Sequence, residues 1–447
     1  MWRRVGSNAL ANLSAGVSGT LLQIGLTAIA TRSFGKEGFA VWAVALSMAA
    51  LVPLFAANLS TIVTRRIVES LPDQAAAIMR SGHQLARGLS AVSVFGILLC
   101  SVILQRYSQP LQDMAASSFG LLMALLVMAQ LWQILLQPRF GWHYAHESNW
   151  QVARSIACTR LAGLAGFGLL CWLQPGQLVL AALGLLLGTT LGVALCRNTE
   201  PVICKAPEDE VHDELAVMRP LLKAFAIWSV GSAVIQYGLP AIMSLLAPAQ
   251  FTPFYLAYTL NLIVIGTVGT AASAMLAPLT RQRLAGHTAA LERLMAWAPL
   301  ATGLLLVVLM LAIWHLLPSL LTVWSADIAS AEEVRLPLFW LAIQTIARSM
   351  TLIYSVLLSS AGRAQQMSRP ILLELGLTCM AALPFGWAWG PSAFLAALAA
   401  AGILTALYTV WTTLNLGICA ATSRIRLGLA FVGSQALSLG IWTLASQ

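Results

Sequence analysis

The chain has 447 residues, of which 59% are hydrophobic and 9% are charged. Soluble globular domains carry about 25% charged residues, so this composition excludes a water-soluble enzyme as the first interpretation. The formal net charge is +9, from 25 Lys and Arg against 16 Asp and Glu. Such an excess indicates nucleic-acid binding in a soluble protein, so the positions of the basic residues must decide its meaning here.

Thirteen apolar stretches are long enough to form membrane-spanning helices, because about 20 apolar residues cross a ~30 Å hydrocarbon core. The stretches are continuous rather than alternating with polar residues, which excludes transmembrane β-strands. Their approximate bounds are 8–31, 39–60, 88–105, 115–136, 154–173, 178–196, 222–246, 252–277, 295–317, 336–361, 370–389, 392–416 and 427–445. We therefore predict an all-α polytopic membrane protein with 12–13 transmembrane helices.

The basic residues predict the orientation of these helices. With a cytoplasmic N-terminus, six of the 25 Lys and Arg fall outside the inner segments: Arg32, Lys36, Arg106 and Arg335 in outer segments, and Arg160 and Arg348 within helices. The other 19 lie on the inner side, which is the positive-inside pattern. The positive charge therefore reports topology and contact with anionic lipid, and we expect no nucleic-acid partner.

The most polar stretch, 197–221, divides the chain into two halves. One apolar pattern begins at Phe39 and a similar one at Phe254, about 215 residues apart, and each runs into two arginines. This similarity favours a repeat whose halves have parallel topology. The predicted units are an N-terminal six-helix lobe (1–196), a cytoplasmic connector (197–221), a C-terminal six-helix lobe (222–417) and an extra helix (418–447) that either spans the membrane or does not.

The sixth stretch carries Gly184, Gly188 and Gly192 at four-residue spacing. Small residues at this spacing let two helix backbones approach closely in a membrane. We interpret them as a packing surface rather than a functional site.

Arg348 lies near the centre of the stretch 336–361. A charge at that depth costs about 2.5–3.5 kcal/mol on insertion scales, and an arginine cannot escape this cost by losing its proton. The side chain should therefore face a water-filled cavity or an anionic partner. We predict a contact with phosphate through the guanidinium fork; a structural ion pair is the alternative.

A second arginine and one carboxylate also lie inside predicted helices. Arg160 is six residues past Arg154, about 9 Å along a helix, so it either binds substrate or reaches back to the interface. Glu374 is the only carboxylate inside a predicted span. The repeat puts their helices in equivalent positions, so we predict an Arg160–Glu374 pair that acts as a gate or a protonation site.

Uncharged polar side chains within the helices form the rest of the candidate site. Buried polar groups in lipid need hydrogen-bond partners, so many of them should bond between helices. Amides and tyrosines also suit sugar hydroxyls better than they suit a lipophilic cation. The candidates are Asn12, Gln23, Asn58, Gln236, Tyr237, Tyr255, Tyr258, Asn261 and Gln344.

The sequence predicts a transporter rather than an enzyme, without a metal or other cofactor. His143 and His146 are three residues apart, which can fit a metal, but no third recurrent ligand accompanies them. No nucleotide-binding motif is present, which disfavours an ATP-driven pump. The outer loops are too short to build a catalytic domain.

Several motifs resemble Wzx-type polysaccharide flippases of the multidrug/oligosaccharidyl-lipid/polysaccharide exporter superfamily. In the N-terminal half these are Thr31 to Phe39 (TRSFGKEGF) and Arg65 to Glu69 (RRIVE). In the C-terminal half they are Pro278 to Arg281 (PLTR) and Ser360 to Arg363 (SAGR). The resemblance covers about residues 1–420.

This resemblance implies two six-helix lobes that form a V around a central cavity. It implies an alternating-access flippase for undecaprenyl-pyrophosphate-linked oligosaccharides of O-antigen, capsule or exopolysaccharide in the bacterial inner membrane. Polysaccharide polymerase and assembly proteins are then candidate partners. Unlike many family members, this chain has no acidic residue in 229–242. The alternatives are a drug/cation antiporter of the same fold and a flippase for the peptidoglycan precursor lipid II.

Overall fold

The structure is a computed structural model. It describes residues 2–56, 58–71, 74–112, 114–196, 206–273, 279–280, 282, 285–286, 288–324, 328–360, 363, 365–415 and 421–446. All regular secondary structure in this part of the chain is helical. Eleven helices among these residues are long and apolar enough to cross a membrane. The predicted all-α polytopic fold is confirmed.

The N-terminal half consists of α1 (Trp2–Ala49), α2 (Leu59–Glu69), α3 (Ala75–Tyr107), α4 (Gln109–Gln112), α5 (Ala116–Leu135), α6 (Gln137–Ala145), α7 (Asn149–Leu173) and α8 (Leu178–Leu195).

The C-terminal half consists of α9 (Glu208–Tyr237), α10 (Leu239–Leu246), α11 (Phe251–Ser273), α12 (Thr288–Trp324), α13 (Ala331–Ser349), α14 (Leu352–Ser360), α15 (Gln365–Leu377), α16 (Leu383–Trp389), α17 (Pro391–Leu414) and α18 (Ala421–Ala445). A π-helical turn, Thr378–Ala382, joins α15 to α16.

The first predicted stretch, 8–31, and residues 39–49 of the second lie on α1, which is broken at Gly35. A straight helix of 48 residues would be about 72 Å long, far more than a bilayer needs. Gly35 has φ 66° and ψ −173°, a region of backbone conformation that is essentially restricted to glycine. The break therefore separates two membrane segments at the position where the sequence predicts an outer turn.

The predicted connector, 197–221, is partly helical. Residues 197–205 lie outside the described part of the chain, whereas Glu208 to Leu221 form the first turns of α9. Glu208, Asp209 and Glu210 occupy the first turn, where negative charge stabilises the positive end of the helix dipole. The acidic cluster thus marks a helix start rather than a loop.

The extra helix at the C-terminus is long and apolar enough to span the membrane. Ser423–Ala445 is one of the eleven candidate spans, and α18 packs along α12. Ser423 at its start donates a hydrogen bond to Glu292 of α12 at 2.9 Å. The two helices therefore run parallel from the same end of the bundle.

The glycines of the sixth predicted stretch pack α8 against α7, as predicted. A Cβ atom added to Gly184 would collide with the carbonyl oxygen of Gly166. A Cβ atom at Gly192 would lie 2.5 Å from the Cα atom of Thr159. Only glycine at these positions allows the two backbones to come this close.

The two halves contact each other at both ends of the bundle. Near the Gly35 break, Arg32 donates to the carbonyl oxygen of Val323 at 2.5 Å, and the Trp324 indole donates to that of Ile24 at 2.9 Å. At the opposite end, Arg66 of α2 forms an ion pair with Glu214 of α9 at 2.8 Å. The polar residues described next lie within the C-terminal half.

Replacing Gly35 tests the break in α1. We expect Gly35→Ala to lower the free energy of unfolding by about 1–3 kcal/mol, because alanine has a Cβ that opposes this backbone conformation. The measurement is the thermal unfolding midpoint of the purified protein in detergent. Gly88→Ala is the matched control, since Gly88 is helical with open space around its Cα. Equal midpoints for the two variants would contradict the break.

Candidate substrate-binding cavity

A cavity of about 240 Å³ lies within the C-terminal half, between α9, α11, α13, α14, α15 and α17. Six of the residues predicted from the sequence line it: Gln236, Tyr258, Asn261, Gln344, Arg348 and Glu374. Arg348 and Glu374 are the only Asp, Glu, Lys or Arg side chains in the lining given by the described residues. The structure therefore gathers half of the predicted set into one site.

Arg348 is positioned by a break between two helices. The helix α13 ends at Ser349 and α14 begins at Leu352. At the break, both the backbone N–H and the hydroxyl of Thr351 donate to the carbonyl oxygen of Arg348, at 3.0 and 2.7 Å. A cation at the C-terminal end of a helix is favoured by the helix dipole. Discontinuous helices of this kind form the binding sites of many secondary transporters.

Arg348 forms an ion pair with Glu374 across the cavity wall. The Arg348 Nε and Glu374 Oε2 atoms are 3.4 Å apart, and the Gln344 amide donates to Glu374 Oε1 at 3.4 Å. The side chain of Arg348 is 24% exposed, whereas that of Glu374 is 1% exposed. The guanidinium thus faces the cavity, and the carboxylate lies behind it.

The predicted pairing of Arg160 with Glu374 is corrected by this arrangement. Arg160 lies on α7 of the N-terminal half and donates to the carbonyl oxygen of Ala15 on α1 at 2.8 Å. Glu374 pairs with Arg348 because α13 and α15 line the same cavity. A repeat puts the helices of Arg160 and Glu374 in equivalent positions of the two halves, but helices in equivalent positions need not contact each other.

Two tyrosines lie within electrostatic range of Arg160. The Arg160 guanidinium interacts electrostatically with the hydroxyls of Tyr144 and Tyr237. Tyr237 in turn interacts with Tyr258, which lines the cavity. The Tyr258 hydroxyl is buried and has no hydrogen-bond partner among the described residues. Arg160 and Tyr237 themselves are not among the described residues that line the cavity.

The remaining predicted residues lie outside the cavity lining. Tyr255 is 2% exposed on α11, and its hydroxyl interacts with polar side chains of α1, Ser47 and Gln23. Asn58 is buried just before α2. The side chain of Asn12 lies outside the described part of the chain. Gln23 and Tyr255 therefore act as interhelical hydrogen-bonding groups, the alternative that the sequence left open.

Several lining residues were not predicted from the sequence. The Thr345 hydroxyl donates to Asn261 Oδ1 at 2.7 Å and fixes the orientation of that amide. Thr405 and Thr409 of α17 also line the cavity, one turn apart. One turn after Glu374, the π-helical turn begins at Thr378; such turns occur often at functional sites. The sequence signal for Thr405 and Thr409 is their spacing of four residues, which puts them on one face of a helix.

The fold is similar to that of solved transporters. A MATE transporter in its straight conformation superposes with a TM-score of 0.70 at 12% identity, covering 96% of each chain. A MOP superfamily transporter from Pyrococcus furiosus gives 0.70 at 10% identity, again over 96% of each chain. An inward-facing multidrug resistance MATE family transporter gives 0.65 at 11% identity, over 94% of this chain and 98% of that one.

No family model and no curated protein sequence matches the chain. At 10–12% identity, the structural likeness shows the fold alone. The protein has the multi-pass helical fold of MATE and MOP superfamily transporters.

A double-mutant cycle tests the ion pair in the cavity wall. We expect Arg348→Ala to destabilise the protein by about 3 kcal/mol, because it leaves a buried carboxylate without its cation. Glu374→Gln should cost less, and the double variant should be more stable than Arg348→Ala alone. The measurement is the thermal unfolding midpoint in detergent. Strictly additive effects would show that the two side chains do not interact.

Proposed function

We propose that this protein is an alternating-access flippase for an undecaprenyl-pyrophosphate-linked oligosaccharide in the bacterial inner membrane. The observation that carries this proposal is the cavity in which Arg348 is the charged group in contact with solvent, surrounded by amides and hydroxyls. The similarity to MATE and MOP superfamily transporters supports the transporter fold that the proposal needs.

The electrostatics of the cavity favour an anionic group. A ligand entering it meets the 24% exposed guanidinium of Arg348 before the 1% exposed carboxylate of Glu374. The ion pair uses Nε, which leaves the N–H groups of the two Nη atoms for a ligand. A guanidinium fork matches the geometry of phosphate oxygens and holds them with charge-assisted hydrogen bonds. A pyrophosphate fits this chemistry.

The uncharged lining suits the sugar next to the pyrophosphate. Gln236, Asn261 and Gln344 supply amide donors and acceptors, and Tyr258 supplies a hydroxyl without a partner in the described structure. A cavity of about 240 Å³ lies just below the range of about 300–1,000 Å³ that is usual for ligand pockets. It therefore holds the pyrophosphate and the first sugar, while the rest of the glycan extends between the two halves.

Transport requires the two halves to separate at one end at a time. The Arg32–Val323 and Trp324–Ile24 hydrogen bonds close one end, and the Arg66–Glu214 ion pair joins the other. One similar transporter is inward-facing and another is in a straight conformation. We assign the same alternation to this chain, with the contacts at each end breaking in turn.

Translocation in proteoliposomes tests the proposal directly. The protein is reconstituted with a fluorescent undecaprenyl-pyrophosphate oligosaccharide, and transfer between leaflets is followed by accessibility to an external enzyme. We expect Arg348→Ala to slow transfer roughly tenfold or more, because hydrogen bonds to charged groups contribute about 1.5–3 kcal/mol. The control is Arg106→Ala, which removes an exposed arginine far along the chain from the cavity.

The double variant Arg348→Ala, Glu374→Gln distinguishes a loss of transfer through misfolding from a loss through weaker substrate binding. This variant has no unpaired buried carboxylate, so it should be stable and still slow. Transfer at the wild-type rate by a stable variant without Arg348 would contradict the role of the guanidinium.

A drug/cation antiporter is the second candidate, and the buried carboxylate of Glu374 beside the cavity favours it. An antiporter would extrude a cationic dye from vesicles with a pH gradient, and Glu374→Gln would abolish this transport. We expect no dye transport by the wild type, and continued oligosaccharide transfer by Glu374→Gln. Dye extrusion without oligosaccharide transfer would replace our proposal, and preferential transfer of lipid II would redefine its substrate.

A further inference from the structure

A second cavity, of about 690 Å³, lies between α12 and α18 and shares no residue with the cavity around Arg348. Arg293 of α12 and Arg426 of α18 line it from opposite sides, with Trp297 nearby. Its volume is within the range of small-molecule binding sites. We refer to this space as the α12–α18 groove.

The described lining of the groove carries a net positive charge. Arg293 and Arg426 are exposed, and neither has an ion-pair or hydrogen-bond partner among the described residues. The Glu292 carboxylate also lines the groove, accepts a hydrogen bond from Ser423 at 2.9 Å and offsets one of these two positive charges, which leaves the described lining with a net charge of +1. Arg424, two residues before Arg426, is not part of the described lining. The groove therefore favours an anion.

The length of α12 sets the depth of the groove in the membrane. Trp297 and Trp324 are 27 residues apart on this helix, which corresponds to about 40 Å. This distance is close to the 40–45 Å thickness of a bilayer with its headgroup layers, where tryptophan is enriched. The carbonyl oxygen of Trp324 accepts a hydrogen bond from Thr31, four residues before Gly35, at 3.3 Å, which places this end of α12 beside the break in α1. Trp297 therefore lies at the opposite headgroup layer.

Arg293 is one helical turn beyond Trp297, on the side away from the hydrocarbon core. Arg426 lies at the same level, because it lines the same groove. In the predicted orientation this is the cytoplasmic leaflet. Next to the groove, the apolar side chains of Leu429 and Val432 on α18 are 67% and 50% exposed, at positions where acyl chains would contact them.

We propose that the α12–α18 groove binds the phosphate of an anionic phospholipid of the cytoplasmic leaflet. Arg293 and Arg426 hold the phosphate from two helices, and the acyl chains lie along α18. Basic pockets between transmembrane helices on this side of a membrane suit such headgroups. The lipid thereby fastens the extra helix α18 to α12. This inference does not depend on which substrate the protein transports.

Lipid retention by the full-length protein tests the site. The purified protein is incubated with phosphatidylglycerol or phosphatidylcholine, and bound lipid is counted by native mass spectrometry while the thermal midpoint is recorded. We expect phosphatidylglycerol to bind and raise the midpoint, and phosphatidylcholine to do neither. Arg293→Ala with Arg426→Ala should weaken phosphatidylglycerol binding roughly tenfold or more, because each arginine near the surface contributes separately.

The matched control removes two exposed arginines elsewhere on the predicted cytoplasmic side, Arg87→Ala with Arg154→Ala. It should bind phosphatidylglycerol as the wild type does. Arg293→Lys with Arg426→Lys keeps both charges and should retain most of the binding, which provides a readout if the alanine variant does not fold. Equal binding by the alanine variant and the control would overturn the site.

Two further arms identify the source of the phosphate. Inorganic phosphate and pyrophosphate are added in place of lipid, and we expect neither to raise the midpoint at concentrations where phosphatidylglycerol does. A full shift with inorganic phosphate alone, or equal binding of phosphatidylcholine, would contradict an anionic lipid site.

Discussion

The ion pair between Arg348 and Glu374 is the interaction around which the polar interior of this protein is arranged. Neither charge has water beyond the cavity to stabilise it, and moving either one into hydrocarbon alone is costly. Their side chains are 3.4 Å apart, and Gln344 contacts the carboxylate from the same helix as Arg348. The break between α13 and α14 places Arg348 at the end of a helix and beside the cavity.

The same constraint explains where the other polar groups lie. In a membrane each buried donor or acceptor needs a partner within the protein. Tyr255 finds Ser47 and Gln23 at the contact of the two halves, and Thr345 finds Asn261 in the cavity wall. Tyr258 keeps a hydroxyl without a partner in the described structure, and it lies where a sugar would bind. Satisfied groups hold helices together, and the hydroxyls of Tyr258 and Thr405, which have no hydrogen-bond partner in the described structure, line the proposed binding site.

Two kinds of positive charge are thus present, and they have different uses. Arg348 is exposed only to the cavity in the C-terminal half, where it pairs with a carboxylate. Arg293 and Arg426 are exposed at the headgroup level of the bundle, where they have no partner within the described protein. In the two proposals, the transported pyrophosphate binds at Arg348 and the resident lipid phosphate binds at Arg293 and Arg426. Variants at Arg348 and variants at Arg293 with Arg426 therefore test the two sites independently.

The sequence by itself determined the membrane class and the helix content, because hydrophobic length is a local property of the chain. It also located Arg348, Gln344, Asn261 and Gln236, because a polar residue within an apolar run is unfavourable in lipid unless it has a binding partner. It indicated the close packing of α7 and α8 from the spacing of Gly184, Gly188 and Gly192, which lie on one helix face.

Only the tertiary structure decided which of these groups meet. Arg160 and Glu374 looked like partners by symmetry, but the fold pairs Glu374 with Arg348 and turns Arg160 toward Ala15 and Tyr237. The acidic stretch after residue 207 became the start of α9, because its charges stabilise a helix end. The α12–α18 groove joins residues 133 positions apart, Arg293 and Arg426. Pairing of distant residues depends on how helices pack, and no local pattern in the chain encodes it.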